Sequence, residues 1–198
     1  ITHELDVVVS RWSDLTFGAS NGSSFYVQQN VNTTLAMNIS NKAGFTDLAK
    51  ISMKTNSDWE YGFIGDTNND KELQIELVDG DDVFVNFYIV TPPIVNGSPL
   101  AGTGPSFTLE AMSGLDKRIT SWNFVLEMQT FHNITIDSQP DELTFDPGDE
   151  GRIPVTVRNN GNTDTFLDTK LKFGIEEGDR LEINGWTVAI FNAFEMTP

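Results

Sequence analysis

Along most of the chain apolar residues alternate with polar ones at a period of two. Leu5, Val7 and Val9 form one such run, Leu35, Met37 and Ile39 another, and Leu73, Ile75 and Leu77 a third. Val83, Val85, Phe87 and Ile89 follow, then Phe107, Leu109 and Ala111, and Trp122, Phe124, Leu126 and Met128. Ile153, Val155 and Val157 complete the series. Side chains of an extended chain point to opposite faces in turn, so each run predicts a half-buried antiparallel strand. No stretch carries apolar residues at helical spacing. Between the runs lie turn formers: Asn21-Gly22, Asp79-Gly80, Asn96-Gly97, Pro147-Gly148, Asn160-Gly161 and Asn184-Gly185. Asn, Asp and Gly tolerate positive φ and Pro presets the first turn residue. Short strands with regular turn signals predict an all-β protein of antiparallel sandwich type.

The pattern also repeats. His3-Glu-Leu-Asp-Val-Val aligns with His132-Asn-Ile-Thr-Ile-Asp, and Asp14-Leu-Thr-Phe17 with Glu142-Leu-Thr-Phe145. These pairs stand 129 and 128 residues apart. Leu35 to Asn41 matches Pro154 to Asn159 in character, and the turns that follow hold Gly44 with Thr46-Asp47 and Gly161 with Thr163-Asp164. Those glycines are 117 residues apart, so this alignment requires loops of different length. Trp59 and Trp186, 127 apart, then close each half-unit and are expected in the core. Two tandem immunoglobulin-like sandwiches are predicted, residues 1–130 and 131–198. The second lacks the counterpart of the first one's last strands, which either further chain or a strand of another subunit would supply.

The run Asp146-Pro-Gly-Asp-Glu-Gly-Arg-Ile-Pro-Val-Thr-Val-Arg-Asn-Asn-Gly-Asn-Thr-Asp-Thr-Phe166, with Asn184-Gly-Trp-Thr-Val188 after it, resembles immunoglobulin-like modules of prokaryotic, chiefly archaeal, surface and secreted proteins. The similarity is to cell-adhesion-related domains and to the NEW-type domains appended to glycosidases. It implies sandwiches strung in tandem with other modules, and no catalytic residues.

Charge narrows the partners. Twelve Lys and Arg face 29 Asp and Glu, a net charge of −17. A surface this negative repels phosphate backbones and anionic lipid, which speaks against nucleic acid and electrostatic membrane binding. It suits saline surroundings or bound calcium. The chain has no cysteine, which removes thiol catalysis, zinc–thiolate ligation and disulfides. No apolar run is long enough to span a bilayer.

Candidate chemistry is sparse. Asp66, Asn68 and Asp70 reproduce the alternating oxygens that open a calcium loop, and Glu72 offers another carboxylate, against the reading of a solvated polar turn. Lys71 stands where an EF-hand needs Gly, so the loop is not an EF-hand. Asp79, Asp81 and Asp82 form a second acidic turn. Asn21, Asn32, Asn38, Asn96 and Asn133 open N-glycosylation sequons. Trp12 has no aromatic counterpart in the second copy and is the candidate for stacking on carbohydrate or a neighbouring domain. His3 and His132 occupy matching positions, which favours a structural role. No phosphate loop, HExxH or GxSxG motif occurs. Two function classes remain. One is a non-catalytic structural or adhesive module of an extracellular surface assembly such as a surface layer, stalk or filament, whose partners are neighbouring domains or identical subunits. The other is an accessory module of a secreted hydrolase that binds carbohydrate or acts as a spacer.

Overall fold

A computed structural model of the chain describes residues 10–20, 22–138, 143–190 and 193–198. Among them every regular element is a strand, and none is a helix. The chain divides into two compact units, one of residues 1–93 and 102–129, the other of residues 94–101 and 130–198. The segment Ile94–Ala101, read from the sequence as part of the first module, thus groups with the second unit.

Unit 1 holds nine strands: β1 (Leu15–Phe17), β2 (Ser23–Val27), β3 (Asn32–Asn41), β4 (Asp47–Thr55), β5 (Glu60–Phe63), β6 (Glu72–Leu77), β7 (Asp82–Val90), β8 (Ser106–Met112) and β9 (Ile119–Met128). They form a four-stranded sheet in the order β1-β3-β7-β5 and a five-stranded sheet in the order β2-β9-β8-β4-β6. Two antiparallel sheets with this interleaved order make an immunoglobulin-like sandwich. One pairing departs from the antiparallel rule: β2 runs parallel to β9, from Ser23↔Phe124 to Val27↔Met128.

The alternation seen in the sequence fills the space between the sheets. Ile39, Val85, Phe87 and Ile89 face inward from one sheet, and Ile51, Phe107, Leu109, Phe124 and Leu126 from the other, each at most 1% exposed. Phe87 and Phe124 meet across the gap at 5.7 Å, and Trp122 and Phe107 stack on either side of Phe124 at 4.6 and 5.3 Å. Each such side chain contributes about 1.5–3 kcal/mol by burial. Trp122 Nε1 donates to the Ser20 carbonyl at 2.9 Å, which satisfies the one polar atom that its burial would otherwise strand.

Unit 2 holds β10 (Ile134–Ser138), β11 (Thr156–Asn159), β12 (Thr165–Asp168), β13 (Leu171–Phe173), β14 (Glu176–Gly178), β15 (Arg180–Ile183), β16 (Trp186–Ala189) and β17 (Ala193–Met196). Among the described residues they pair only in twos: β10-β11, β12-β17, β13-β14 and β15-β16. In the β15–β16 hairpin Asn184 and Gly185 both take positive φ, 50° and 84°, the geometry expected for a two-residue Asn-Gly turn.

The internal repeat is real: the match of the Leu35–Asn41 run with the run ending at Asn159 holds, while the pairings drawn 127 to 129 residues apart do not. Asn41 ends β3 and its side-chain amide donates to the carbonyls of Phe45 and Leu77, both at 2.8 Å, while its Oδ1 accepts from the Ala43 N–H. Asn159 ends β11 and does the same with Thr163, Met196 and Gly161. Leu15 pairs with Asn41 as Ile134 pairs with Asn159, and Asp47 pairs with Leu77 as Thr165 pairs with Met196. Lys42 N–H bonds the Asp14 carbonyl as Asn160 N–H bonds that of Asn133. The offset is 118 at Asn41/Asn159 and 119 at Leu15/Ile134. Unit 2 therefore repeats β1, β3, β4 and β6 of unit 1 as β10, β11, β12 and β17. Leu15-Thr-Phe17 corresponds to Ile134-Thr-Ile136, not to Leu143-Thr-Phe145, and the two Asn turns have equal length.

Candidate functional site

The acidic loop between β5 and β6 folds on its own backbone. Asp66 Oδ1 accepts from the N–H groups of Asn68 and Asn69 at 3.2 and 2.8 Å, and Oδ2 from that of Lys71 at 2.9 Å. Asp70 accepts from the Glu72 N–H at 3.0 Å and from the Asn68 amide at 2.9 Å. Glu72 pairs with Lys50 at 2.5 Å, across the β4–β6 ladder. Lys71 Nζ sits 4.3 Å from the centre of the Tyr61 ring, so this cation belongs to the loop's scaffold as well. Asp66, Asn68, Asp70, Glu72 and Lys50 border an open depression of about 440 Å³. Short polar side chains that cap nearby N–H groups are the usual way to hold a turn. The carboxylates of Asp66, Asp70 and Glu72 thus each have a protein partner, and among the described residues no group of three or more His, Asp or Glu is placed to hold a metal ion.

Of the tryptophans, Trp122 is the buried one, at 1% exposure. Trp186, expected in the core, is exposed at the start of β16, where it meets the Phe145 ring at 6.3 Å. Trp59 is half-buried in the turn before β5. The repeat offset that paired them was the wrong one, which is why the expectation failed for Trp186. Trp12 is exposed, immediately ahead of β1. Next to it, Arg11 covers the Phe45 ring at 5.4 Å, and the Ser13 N–H donates to Asp116 Oδ2 at 3.0 Å. That bond above all, with the Arg118 N–H and guanidinium adding to it and partial desolvation opposing, lowers the Asp116 pKa from 3.8 to about 2.

The sequon asparagines are scattered. Asn32 is exposed at the start of β3, and Asn96 is exposed in a turn with φ 50°. Asn38 and Asn133 are half-buried, and Asn38 Oδ1 is fully enclosed without a hydrogen-bond partner. Asn21 and His3 lie outside the described residues. His132 is exposed, with Nδ1 3.4 Å from Thr165 Oγ1.

The largest departure from an ordinary sandwich is in unit 2. In unit 1 the far side of β3 carries β7, paired from Asn32↔Val90 to Ser40↔Asp82. The far side of β4 carries β8, paired from Lys50↔Met112 to Thr55↔Phe107. Their counterparts β11 and β12 have one neighbour each among the described residues. The inward positions register the difference. Met37 and Ile39 are 5% and 0% exposed, while their counterparts are Val155, 47% exposed, and the half-buried Val157. Ile153, Phe166 and Phe194 are exposed too, and among the described residues of unit 2 only Leu181 is a buried apolar side chain. Sequence reading anticipated missing strands in the second copy. It did not find the asparagine lock that defines which strands are present, although the shared Asn at each strand end was in view.

No known family and no curated protein matches the chain. Solved structures do. The chain is similar to the SrpA adhesin from Streptococcus sanguinis at 11% identity and TM-score 0.39, over 63% of this chain and 60% of that one. It is similar to AggA, the major subunit of aggregative adherence fimbriae type I from Escherichia coli, at 10% and 0.38, over 63% and 100%. It is also similar to the secreted serine protease VesC from Vibrio cholerae, at 13% and 0.37, over 65% of this chain and 24% of that one. At such identities and scores these likenesses carry no weight for function.

Proposed function

We propose that the chain is a non-catalytic structural or adhesive module of an extracellular surface assembly. The observation that carries this reading is the repeat itself: the asparagine lock recurs at Asn41 and Asn159, so one chain carries two copies of one sandwich motif. Repeated sandwich units on one chain are the geometry of a part that links to other parts. The charge of −17 keeps such parts apart in dilute solution and makes their association dependent on salt. Neighbouring domains and identical subunits are the partners in this reading, and the exposed Asn32 is the sequon best placed for a glycan.

The test is co-sedimentation of the labelled chain with envelopes from the cells that produce it. Saturable binding that strengthens as salt rises from low to physiological levels is expected. A chain that stays in the supernatant at every salt concentration overturns the reading. The exposed Trp12 supports the second reading, an accessory carbohydrate-binding module of a secreted hydrolase. Under that reading polysaccharides change the tryptophan fluorescence saturably, and Trp12→Ala abolishes the response. A response unaltered by Trp12→Ala removes it.

A further inference from the structure

One face of unit 1 stands out by what it lacks. The residues of β3 and β7 that point away from the core meet in facing pairs at the middle of the four-stranded sheet: Thr34 with Tyr88, Ala36 with Asn86 and Asn38 with Phe84. None of them is charged, in a chain whose net charge is −17. On the same face Asp82 stands past one end of this grid, where it accepts from the Ser40 hydroxyl, and Glu60 stands past the other, on β5. The surface is low as well as neutral. The phenol end of Tyr88 lies over Gly62 of β5, where a Cβ would come within 2.7 Å of its oxygen. Phe84 is the ring left bare, at 65% exposure.

The pair Asn38 and Phe84 joins two independent observations. Beside the bare ring, Asn38 Oδ1 is the one buried side-chain polar atom without a hydrogen bond among the described residues. Buried polar groups are nearly always paired, so an acceptor left over beside an exposed ring suits a ligand that brings a donor. A sugar does both things at once. Its C–H face packs on an aromatic ring, and its hydroxyls exchange hydrogen bonds with amides and hydroxyls such as those of Asn38, Asn86 and Thr34. Another protein surface suits the grid less well, because dry packing would strand these polar side chains among the apolar ones. An acidic polymer, or a second copy of the chain, is repelled by the net charge. We propose that the outer face of the four-stranded sheet binds a neutral carbohydrate, stacked on Phe84 and hydrogen-bonded through Asn38 and Asn86. The inference rests on the adhesive reading above and names what the module adheres to.

The test is affinity electrophoresis of the whole chain, made without glycans, through gels holding galactomannan, a soluble β-glucan or, for contrast, the acidic polysaccharide alginate. Retardation by at least one neutral polymer and none by alginate is expected. Its strength should not change between low and physiological salt, since no charge lies in the grid. Phe84→Ala should weaken binding by about tenfold or more, and Phe84→Trp, which keeps a ring, should retain it. Tyr26→Ala removes a similarly exposed aromatic from the other sheet and should change nothing. Oligosaccharides of the retained polymer should shift the amide NMR signals of residues 34–38 and 84–88 and leave β2 and β6 unmoved. Retardation by neither neutral polymer, equal retardation by alginate, binding that survives Phe84→Ala, or an equal loss in Tyr26→Ala each overturns the inference. So does a dimer of the chain that Phe84→Ala disperses, because a second copy then covers the face. A chain that sediments with envelopes yet binds neither neutral polymer loses this inference and keeps the proposed function, and one that binds a polymer but no envelope does the reverse.

Discussion

Replacing Asn41 by Ala tests whether the asparagine lock holds the sandwich together. Asn41 is fully buried, and its side chain makes three hydrogen bonds, to the carbonyls of Phe45 and Leu77 and from the N–H of Ala43. The Leu77 bond ties the end of β3 in one sheet to the end of β6 in the other. Alanine deletes all three and leaves buried backbone groups without these partners. At about 1 kcal/mol for each bond, with a further penalty for the stranded groups, the loss is about 3–4 kcal/mol. That is a large share of the 5–15 kcal/mol that typically separates folded from unfolded domains. Asn159 makes the matching bonds at 2.9, 3.3 and 3.0 Å but is only half-buried, so water replaces part of what alanine removes. Asn159→Ala should cost about 1–2 kcal/mol. Native-state hydrogen exchange under increasing urea reads the two units separately, and Trp122 fluorescence follows the core of unit 1. With a slope of about 2 kcal/mol per molar urea, the unit 1 midpoint should fall by about 1.5 M in Asn41→Ala. Equal costs for the two substitutions, or a cost below about 1 kcal/mol for Asn41→Ala, would refute the idea that burial makes the lock.

Further expectations concern smaller features. Asp66→Ala removes three carboxylate–backbone bonds from an exposed loop and should cost about 1–2 kcal/mol, equally with calcium and with chelator; a cost that appears only with calcium would show that a cation holds the loop instead. Asp116 has a depressed pKa, so its contribution is complete above its ordinary value of 3.8 and is lost as pH falls through about 2. Melting temperatures of the native chain and Asp116→Asn should therefore differ at pH 5 and converge toward pH 2, and a gap that widens on acidification would contradict this. In a glycosylating host, mass spectrometry should find glycan on Asn32 and none on Asn38, whose Oδ1 is enclosed.

The strands of unit 1 were legible because each inward face is continuous: Trp122, Phe124, Leu126 and Met128 follow one another at every second position and all lie at 1% exposure or less. The repeat was visible and its centre, Asn41 against Asn159, was rightly matched, but its outer pairings were misplaced by about ten residues. Short strand segments such as Leu-Thr-Phe carry little information, and any two of them resemble each other. Asn41 and Asn159 are distinctive through what they bond, which residue type alone does not show. The same misplacement sent Trp186 into an expected core. Two topological facts left no local trace: the parallel run of β2 beside β9, and the way β5 and β6, adjacent in sequence, join opposite sheets. Both depend on pairings made far along the chain. The acidic loop was seen as a cluster of oxygens, but the direction of those oxygens, toward the loop's own N–H groups, is set by backbone geometry that composition does not encode.

The parallel pairing of β2 with β9 has a mechanical meaning. Tension pulling the two ends of unit 1 apart reaches β2 once β1 has parted from β3, and leaves through β9. Because the two strands point the same way, that tension slides one along the other and loads all their shared bonds at once. An antiparallel terminal pair would instead peel open one bond at a time. The segment ahead of β1, fastened by Ser13 to Asp116, adds an outer catch that must give way first. Tension along the chain would thus meet a sheared parallel pair in unit 1, whereas the described strands of unit 2 pair only in twos and would part more readily.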